Sequence, residues 1–173
     1  MLKSVTKKLK PLIQAKLKEE YFAIANEANL YCLDYIERRF ERSNIQSGLE
    51  FIRPKKISET NSAVSAKIVE VGDLLELAYP HLFNSASKQA RVKFRSEVII
   101  SDVFRSFGRE LFRENVTWAR IVALFAFSGS LSVDCVVQGN PEFVKTVLNC
   151  TRLYVLENLA VWIKNQGGWV SMF

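Results

Sequence analysis

The chain has 173 residues, of which 49% are hydrophobic and 24% charged, and its formal net charge is +6. This length predicts one domain, and the apolar content is too high for a disordered protein. The three cysteines are far apart, which predicts reduced thiols in a cytosol-facing protein rather than a disulfide framework. With one histidine, His81, and no phosphate-binding glycine motif, we expect no enzyme activity, metal, cofactor or small-molecule substrate.

Residues 1–18 form a basic N-terminal segment, because six lysines precede the first acidic residue, Glu19. We expect a solvated, flexible terminus, with contact to anionic lipid as the alternative interpretation. No basic–aromatic motif follows, so nucleic acid is not expected as a partner. Residues 19–173 are predicted to form the folded domain.

The first predicted helix spans Glu19–Arg42, where no Gly or Pro occurs and apolar residues recur at helical spacing. The stretch Ser43–Asn61 is rich in Ser and Asn and predicts a protease-sensitive loop. A second helix is predicted over Ser62–Tyr79, and it ends where Pro80 cannot continue it. A short helical piece follows over His81–Val92.

A further helix is predicted from Ser96 to Phe112, with an acidic residue in its first turn that suits the helix dipole. Thr117 can cap the helix after it. That helix is apolar nearly all round over Ile121–Phe127, which predicts a central, buried position. The apolar run is too short to span a membrane, and Ser128–Ser130 interrupts it.

The C-terminal part is predicted to hold one more long helix and a short helical pair. Gly139–Pro141 breaks the central helix, and Pro suits the start of the next one, over Glu142–Leu159. The final pair carries Trp162 and Trp169 around a Gly–Gly bend, and these rings are expected to attach the last helices to the bundle. Because no useful stretch alternates with period two, the sequence predicts an all-α bundle of seven or eight helices around one hydrophobic helix.

The second helix carries an apolar stripe beside a Gly–Asp pair. Val64, Ile68, Val71 and Leu75 fall on one helical face, at i, i+4, i+7 and i+11. Gly72 permits close approach of a neighbouring helix, and Asp73 can accept hydrogen bonds from an arginine. A stripe of four apolar residues is by itself more typical of plain core packing.

The segment Glu110–Arg120 places a Trp and an Arg at the mouth of the central apolar run. Arg120 requires a carboxylate partner there, because an unpaired buried charge is very costly. Its planar, permanently charged guanidinium suits such a pair. The partner is either a ligand's carboxylate or an intramolecular one such as Asp73 or Asp102.

Together these segments resemble the homology motifs of the Bcl-2 family of apoptosis regulators. Thr117–Arg120 reads Thr-Trp-Ala-Arg where motif one commonly reads Asn-Trp-Gly-Arg, and Trp162–Trp169 resembles motif two. Val64–Leu75 resembles motif three, the death-promoting helix, and Tyr31–Ile36 loosely resembles motif four. The segment Val133–Gln138 and the Tyr-Pro ending of the second helix resemble the Bok branch and its invertebrate relatives.

The resemblance implies a Bcl-2-like bundle with a hydrophobic surface groove that binds the amphipathic death-motif helices of pro-apoptotic relatives, either Bak/Bax-like or single-motif proteins. Four apolar anchors of such a helix would enter pockets, and its Asp would pair with Arg120. The implied groove residues are Leu75, Tyr79, Phe83, Phe107, Leu111, Val116, Trp118, Ala119, Arg120 and Phe127. The implied internal death-motif helix comprises Val64, Ile68, Val71, Gly72, Asp73 and Leu75.

Three departures from the family pattern bear on the direction of activity. Ile68 and Val71 are β-branched, which changes the shape of the side chains that the death-motif helix would insert into a partner's groove. Ala119 adds a methyl group where a bound helix packs closely. The two β-branched residues and the retained Arg120 favour a pro-survival protein that sequesters death-motif helices, whereas the Bok-like segments favour the opposite direction. The alternative is a pro-apoptotic Bok/Bax/Bak-like effector that oligomerises and permeabilises the mitochondrial outer membrane.

Two further expectations concern membranes. A bundle that remodels membranes through the Ile121–Phe127 helix and the basic start, without any peptide ligand, is a hypothesis from another functional class. Bcl-2 relatives commonly continue after motif two into a hydrophobic anchor, whereas this sequence ends at Phe173. We expect the anchor to be absent or removed, and favour removal. The implied location is the cytosol and the cytosolic face of the mitochondrial outer membrane, with the endoplasmic reticulum as the alternative.

Overall fold

The computed structural model describes residues 2–46, 48–49, 52–53 and 62–173, with the side chains of residues 2–4 and 89 outside the description. Within this part of the chain the secondary structure is helical and contains no strand. The protein is therefore all-α, as predicted. Most of the predicted protease-sensitive loop, Ser43–Asn61, lies outside the described residues.

Helices account for most of the described residues. They are α1 Leu2–Arg42, α2 Ser62–Ala78, α3 Pro80–Phe83, α4 Ala86–Ala90, α5 Glu97–Leu111, α6 Trp118–Val137, α7 Val144–Tyr154 and α8 Ala160–Gln166. Short 3₁₀ turns span Pro141–Phe143 and Trp169–Met172. A π-helical turn, Val155–Leu159, joins α7 to α8 without a break. The described part thus holds seven helices if α7 and α8 are counted as one and eight otherwise, in agreement with the prediction.

Two regions before α5 differ most from the sequence prediction. Helix α1 begins at Leu2 rather than Glu19, so the described residues of the basic segment are helical. The single piece predicted over His81–Val92 is two short helices, α3 and α4. Ser85 separates them, because its hydroxyl accepts a hydrogen bond from Lys88 N at 3.2 Å and caps α4.

Helix α6 lies at the centre of the bundle, as its all-round apolar sequence predicted. Every residue from 121 to 132 is buried. The helix continues through Ser128–Ser130 and ends at Val137, just before the break predicted at Gly139–Pro141. Ser128 donates a hydrogen bond to the Leu124 carbonyl at 2.8 Å, which keeps its buried hydroxyl satisfied. In the described chain, α6 alone has the length and composition to cross a membrane, yet 78% of its most apolar window is buried inside the bundle.

The C-terminal tryptophans attach the last turns to α1 and α6, as predicted. Trp169 is buried, and its indole N–H donates to the Ile24 carbonyl of α1 at 3.2 Å. Its ring packs edge-on against Tyr31, with centroids 5.3 Å apart, and stacks on Phe125 at 5.9 Å. Such aromatic contacts stabilise by more than their buried area alone.

All three cysteines are free. Burial raises the pKa of Cys32 to about 11, and burial together with the charge of Asp134 raises the pKa of Cys135 to about 12. Burial also raises the pKa of Cys150. These thiols therefore stay protonated at neutral pH, which makes them weak nucleophiles.

Candidate helix-binding groove

The candidate site is an opening between α2 and α5. Both helices pack against α6, but they make few or no direct contacts with each other. The central helix thus forms a floor between two walls, and α3 and α4 lie at one end. Asp134 of α6 holds that end, because its carboxylate accepts hydrogen bonds from Ser87 N at 2.7 Å and Ser85 Oγ at 3.2 Å.

A cavity of about 410 Å³ lies beside this opening, between α4, α5 and α6. Its lining comprises Ala86, Ala90, Asp102, Val103, Ser106, Phe107 and Phe127. Two predicted groove residues, Phe107 and Phe127, meet here with their rings stacked at a centroid distance of 3.7 Å. The cavity is therefore largely apolar, with Asp102 as its one charged lining residue, and suits the side chains of a helical ligand.

Larger cavities exist elsewhere on the described surface. One of about 510 Å³ lies between α5 and α7, and another of about 660 Å³ lies beside the α4–α5 connection. The first is lined mainly by polar and charged side chains, and the second by four basic residues among others: Lys88, Arg91, Lys93 and Arg95. Neither contains a predicted groove residue. Because amphipathic helices bind to apolar walls, the smaller cavity over α6 is the better candidate.

Sequence reasoning missed most of the residues that line this cavity. Val103 precedes Phe107 by four residues, so a helical projection of α5 places both on one face. Ala86 and Ala90 show the same spacing on α4. The signal was therefore present, but short side chains such as Ala and Ser carry little weight in a search for apolar anchors.

The remaining predicted groove residues lie outside this cavity. Phe83 is buried in the core, with 2% of its surface exposed. Leu75, Leu111 and Val116 are half-buried against the core, whereas Tyr79 is 49% exposed. The structure therefore brings Phe107 and Phe127 together and distributes the other side chains over the surrounding helices.

Arg120 lies at the start of α6, where Thr117 caps the helix as predicted. The Thr117 hydroxyl accepts a hydrogen bond from Arg120 N at 3.2 Å. The guanidinium of Arg120 pairs with Glu114 at 3.0 Å and donates to the Asn115 carbonyl at 3.0 Å. An intramolecular pair thus exists, but the partners suggested from sequence, Asp73 and Asp102, were wrong. Glu114 is available because the turn before α6 brings it next to the first helical turn.

The two neighbours of Arg120 in motif one have different environments. Trp118 packs edge-on against Trp162, with centroids 5.1 Å apart, and lies 5.7 Å from Trp169. This ring therefore has a structural role, and its contribution to the groove rim stays a prediction. Ala119 is exposed, so its methyl group is accessible to a partner.

Helix α2, which the resemblance predicts to be an internal death-motif helix, turns part of the predicted motif towards the core. Val64, Ile68 and Gly72 are buried, at i, i+4 and i+8. Val71 and Leu75 are only half-buried, so the inward face is rotated relative to the stripe predicted from sequence. Gly72 contacts the ring of Tyr35 from α1 so closely that a Cβ at this position would overlap it. Only glycine allows the two helices to approach this far.

Four charged residues and one tyrosine join α2 to α1 through ion pairs and a hydrogen bond. This α1–α2 clamp consists of Tyr35, Arg39 and Arg42 on α1, with Asp73 and Glu76 on α2. Arg39 pairs with Glu76, and the Tyr35 hydroxyl donates to the same carboxylate at 2.5 Å. Arg42 lies 3.0 Å from Glu76 and 3.2 Å from Asp73, the latter an ion pair without hydrogen-bond geometry.

The clamp is partly shielded from water. The side chains of Arg39 and Glu76 are 12% and 10% exposed, so their pairing is screened less than a surface pair. Burial and the hydrogen bond to Glu76 raise the pKa of Tyr35 above its ordinary range. Sequence reasoning missed the clamp, although the two arginines are three residues apart on α1 and the two carboxylates are three residues apart on α2. Complementary spacing reveals a contact only once two helices are known to be neighbours.

Comparison with known proteins places this architecture in a family. A profile described as apoptosis regulator proteins of the Bcl-2 family matches residues 68–169. The Bcl-2-related ovarian killer protein homolog A of Danio rerio is 32% identical over 161 residues, which cover 86% of this chain and 71% of that protein.

Two solved structures show the same fold. Chicken BOK superposes with a TM-score of 0.75 at 29% identity, covering 87% of this chain and 93% of the other. A Trichoplax adhaerens protein, trBcl-2L2, superposes with a TM-score of 0.70 at 24% identity, covering 87% and 95%. Fold, motifs and sequence similarity therefore agree: the chain is a Bok-like member of the Bcl-2 family of apoptosis regulators.

Proposed function

We propose that this protein binds the amphipathic death-motif helices of pro-apoptotic relatives in the groove between α2 and α5, and that it promotes survival by sequestering them. The observation that carries the proposal is the state of Arg120. Its carboxylate partner in the described chain, Glu114, is 71% exposed, so a ligand's Asp can replace it at little cost.

The apolar part of the groove supports the same mode of binding. Phe107 and Phe127 line a cavity of a size that accepts apolar side chains. Burying four anchors of a partner helix contributes roughly 6–12 kcal/mol before ordering and association costs are subtracted. The Trichoplax adhaerens neighbour was solved bound to trBak BH3, which supports helix binding by this fold.

The state of α2 supports sequestration over self-release. Its motif residues Val64, Ile68 and Gly72 face the core, and the α1–α2 clamp holds Asp73 and Glu76. To act as an exported death motif, α2 would have to break these ion pairs and expose its buried side chains. We therefore assign α2 the role of a groove wall.

The test is calorimetric titration of the protein with a panel of death-motif peptides, comparing wild type with Arg120→Ala. We expect submicromolar binding to at least one peptide and a loss of about 2–5 kcal/mol in the variant, because the ion pair is desolvated in the complex. Arg113→Ala is the matched control, because this substitution removes the same charge from the same region. Like Arg120, Arg113 pairs with an exposed carboxylate, that of Glu110.

A double-mutant cycle identifies the ligand's partner for Arg120. Replacing the peptide's Asp by Ala should weaken binding to wild type but add little in the Arg120→Ala background. Equal losses in Arg113→Ala and Arg120→Ala would contradict the assignment. If a folded protein binds no peptide, the sequestration proposal fails.

A second candidate function is that of a pro-apoptotic effector, favoured by the similarity to Bok proteins and by the length and hydropathy of α6. An effector should release dye from cardiolipin-containing vesicles after activation by a death-motif peptide, whereas a sequestering protein should not. Both proposals imply action at the cytosolic face of the mitochondrial outer membrane. Fractionation of cells that express the full-length protein tests that location.

A further inference from the structure

Helix α1 extends well beyond the bundle at its N-terminal end. Its first ion pair with another helix joins Glu20 to Lys164, and its hydrogen bond to the C-terminal turn uses the Ile24 carbonyl. All residues from 5 to 16 are exposed. At 1.5 Å per residue, the part between Leu2 and Glu19 projects by about 25 Å. We refer to residues 5–18 as the projecting part of α1.

One face of the projecting part is apolar and has no partner in the bundle. Val5, Leu9, Leu12 and Ile13 occupy positions i, i+4, i+7 and i+8, which form a single stripe. Their exposed fractions are 51%, 45%, 66% and 57%. Exposed apolar side chains at every turn of a helix indicate an interaction surface rather than scattered surface residues.

The opposite face is cationic. Lys7, Lys10 and Lys18 lie at i, i+3 and i+11, and Lys8 flanks the stripe. No acidic residue precedes Glu19, so nothing on this part of the helix neutralises the lysines. A helix with lysines on one face and Leu and Ile on the other complements a surface that is negatively charged outside and apolar beneath.

Two other binding partners fit the projecting part of α1 less well than such a surface does. A second copy of the helix would bring like charges together, and Lys16, four residues after Leu12, would lie within the shared apolar seam. A nucleic acid would pair with the lysines but would leave the apolar stripe in water, and the projecting part has no aromatic ring for stacking on bases.

We propose that the projecting part of α1 binds the surface of an anionic phospholipid bilayer. The helix lies in the plane of the interface, with Val5, Leu9, Leu12 and Ile13 among the upper acyl chains and Lys7, Lys10 and Lys18 on lipid phosphates. Lys16 lies on the apolar side, where its flexible stem carries the ammonium group back to the phosphates. Pro11 removes one intrahelical hydrogen bond, and no neighbouring helix compensates. Burial of the stripe at the interface therefore stabilises this helix where the bundle does not. The site is separate from the groove and acts as a peripheral contact.

Vesicle flotation of the full chain tests the proposal. We expect binding to vesicles of phosphatidylcholine and phosphatidylserine at three to one, weak binding to phosphatidylcholine alone, and a decrease with added salt. Lys7→Gln combined with Lys10→Gln should weaken partitioning about thirty-fold, since each lysine near an anionic surface contributes roughly a five-fold factor. Leu9→Gln combined with Ile13→Gln should weaken it about tenfold or more.

The matched control removes two charges elsewhere. Lys88→Gln combined with Lys93→Gln neutralises part of the basic cavity beside the α4–α5 connection and should change partitioning less than about three-fold. A loss of binding in that variant but not in the α1 variants would overturn the proposal. So would equal binding to neutral vesicles, or no vesicle binding together with a dimer that Leu9→Gln and Ile13→Gln abolish in sedimentation velocity.

The folded state and the groove provide the remaining readouts. Because the substituted side chains are exposed, thermal melts of the α1 variants should match wild type. Titrations of the lysine variant with death-motif peptides should also match wild type, because Lys7 and Lys10 lie outside the groove. Failure of the lipid proposal thus leaves the groove proposal intact, and the reverse also holds.

Discussion

The two sides of α2 show two ways in which one helix can contact its neighbours. Towards α1, it is fastened by a glycine contact and by the half-shielded charges of the α1–α2 clamp. Towards α5, it makes few or no direct contacts and leaves an opening over α6, next to the apolar cavity in which the rings of Phe107 and Phe127 stack. Polar contacts of fixed geometry stabilise one arrangement, whereas an apolar opening accepts a range of ligand side chains. The clamp therefore belongs to the fold, and the groove is free for recognition.

The largest expected effect follows from breaking the clamp. Glu76→Ala should lower the free energy of unfolding by about 3 kcal/mol or more, because it leaves the guanidinium of Arg39 half-shielded and without its carboxylate. Urea denaturation measures the change. Glu70→Ala is the control, since Glu70 pairs with Lys67 on the exposed face of α2 and should cost under about 1 kcal/mol. Equal costs would mean that the clamp contributes no more than a surface pair.

Closing the space at Gly72 should have the next largest effect. Gly72→Ala places a methyl group against the Tyr35 ring, and overpacking of this kind costs about 2 kcal/mol despite the higher helix propensity of Ala. In a Tyr35→Leu background the same substitution should be neutral or slightly stabilising, because the ring is gone. Denaturation of all four proteins in the cycle gives the coupling. Additive effects would contradict a contact between the two positions.

A smaller effect is expected from the hydroxyl of Tyr35. Tyr35→Phe should cost about 1.5 kcal/mol at neutral pH, since the hydroxyl donates to a carboxylate.

The same hydroxyl predicts a pH dependence with a defined sign. Burial and Glu76 raise the pKa of folded Tyr35 above 10.0, so its contribution to stability is complete below pH 10 and is lost as the pH rises through the folded value. Wild type should therefore lose stability above pH 10 more steeply than Tyr35→Phe. Denaturation midpoints measured from pH 7 to 11 compare the two slopes. Parallel slopes would mean that the hydroxyl does not titrate with unfolding.

The smallest effect should come from the groove side. Arg120→Ala should change the free energy of unfolding by no more than about 0.5 kcal/mol, because its partner Glu114 is 71% exposed. Such a small change in stability would distinguish the two ion pairs. The Arg39–Glu76 pair supports the fold, whereas Arg120 is available to a ligand. A cost near that of Glu76→Ala would remove the distinction and make Arg120 a structural residue.

Periodicity in the sequence was sufficient for most of the fold. The ends of α2 and α5 and the cap at Thr117 follow from short-range patterns, because helix termini depend on residues within one turn. The central position of α6 follows from its all-round apolar composition. The start of α1 was missed, since its lysines and Pro11 do not resemble a buried helix. A helix that projects into solvent has no face that packs against the core, so the apolar periodicity used to predict buried helices does not identify it.

The sequence by itself determined the fold class, the central helix and the family motifs, because each depends on residue types at fixed local spacing. Only the tertiary structure decided which carboxylate pairs with which arginine. Asp73 pairs with Arg42 of another helix rather than with Arg120, which pairs locally with Glu114 across the turn before α6. It also decided that Phe107 and Phe127 share a cavity with two alanines of α4. Long-range pairing depends on how helices pack side by side, and local spacing carries no information about which helices become neighbours.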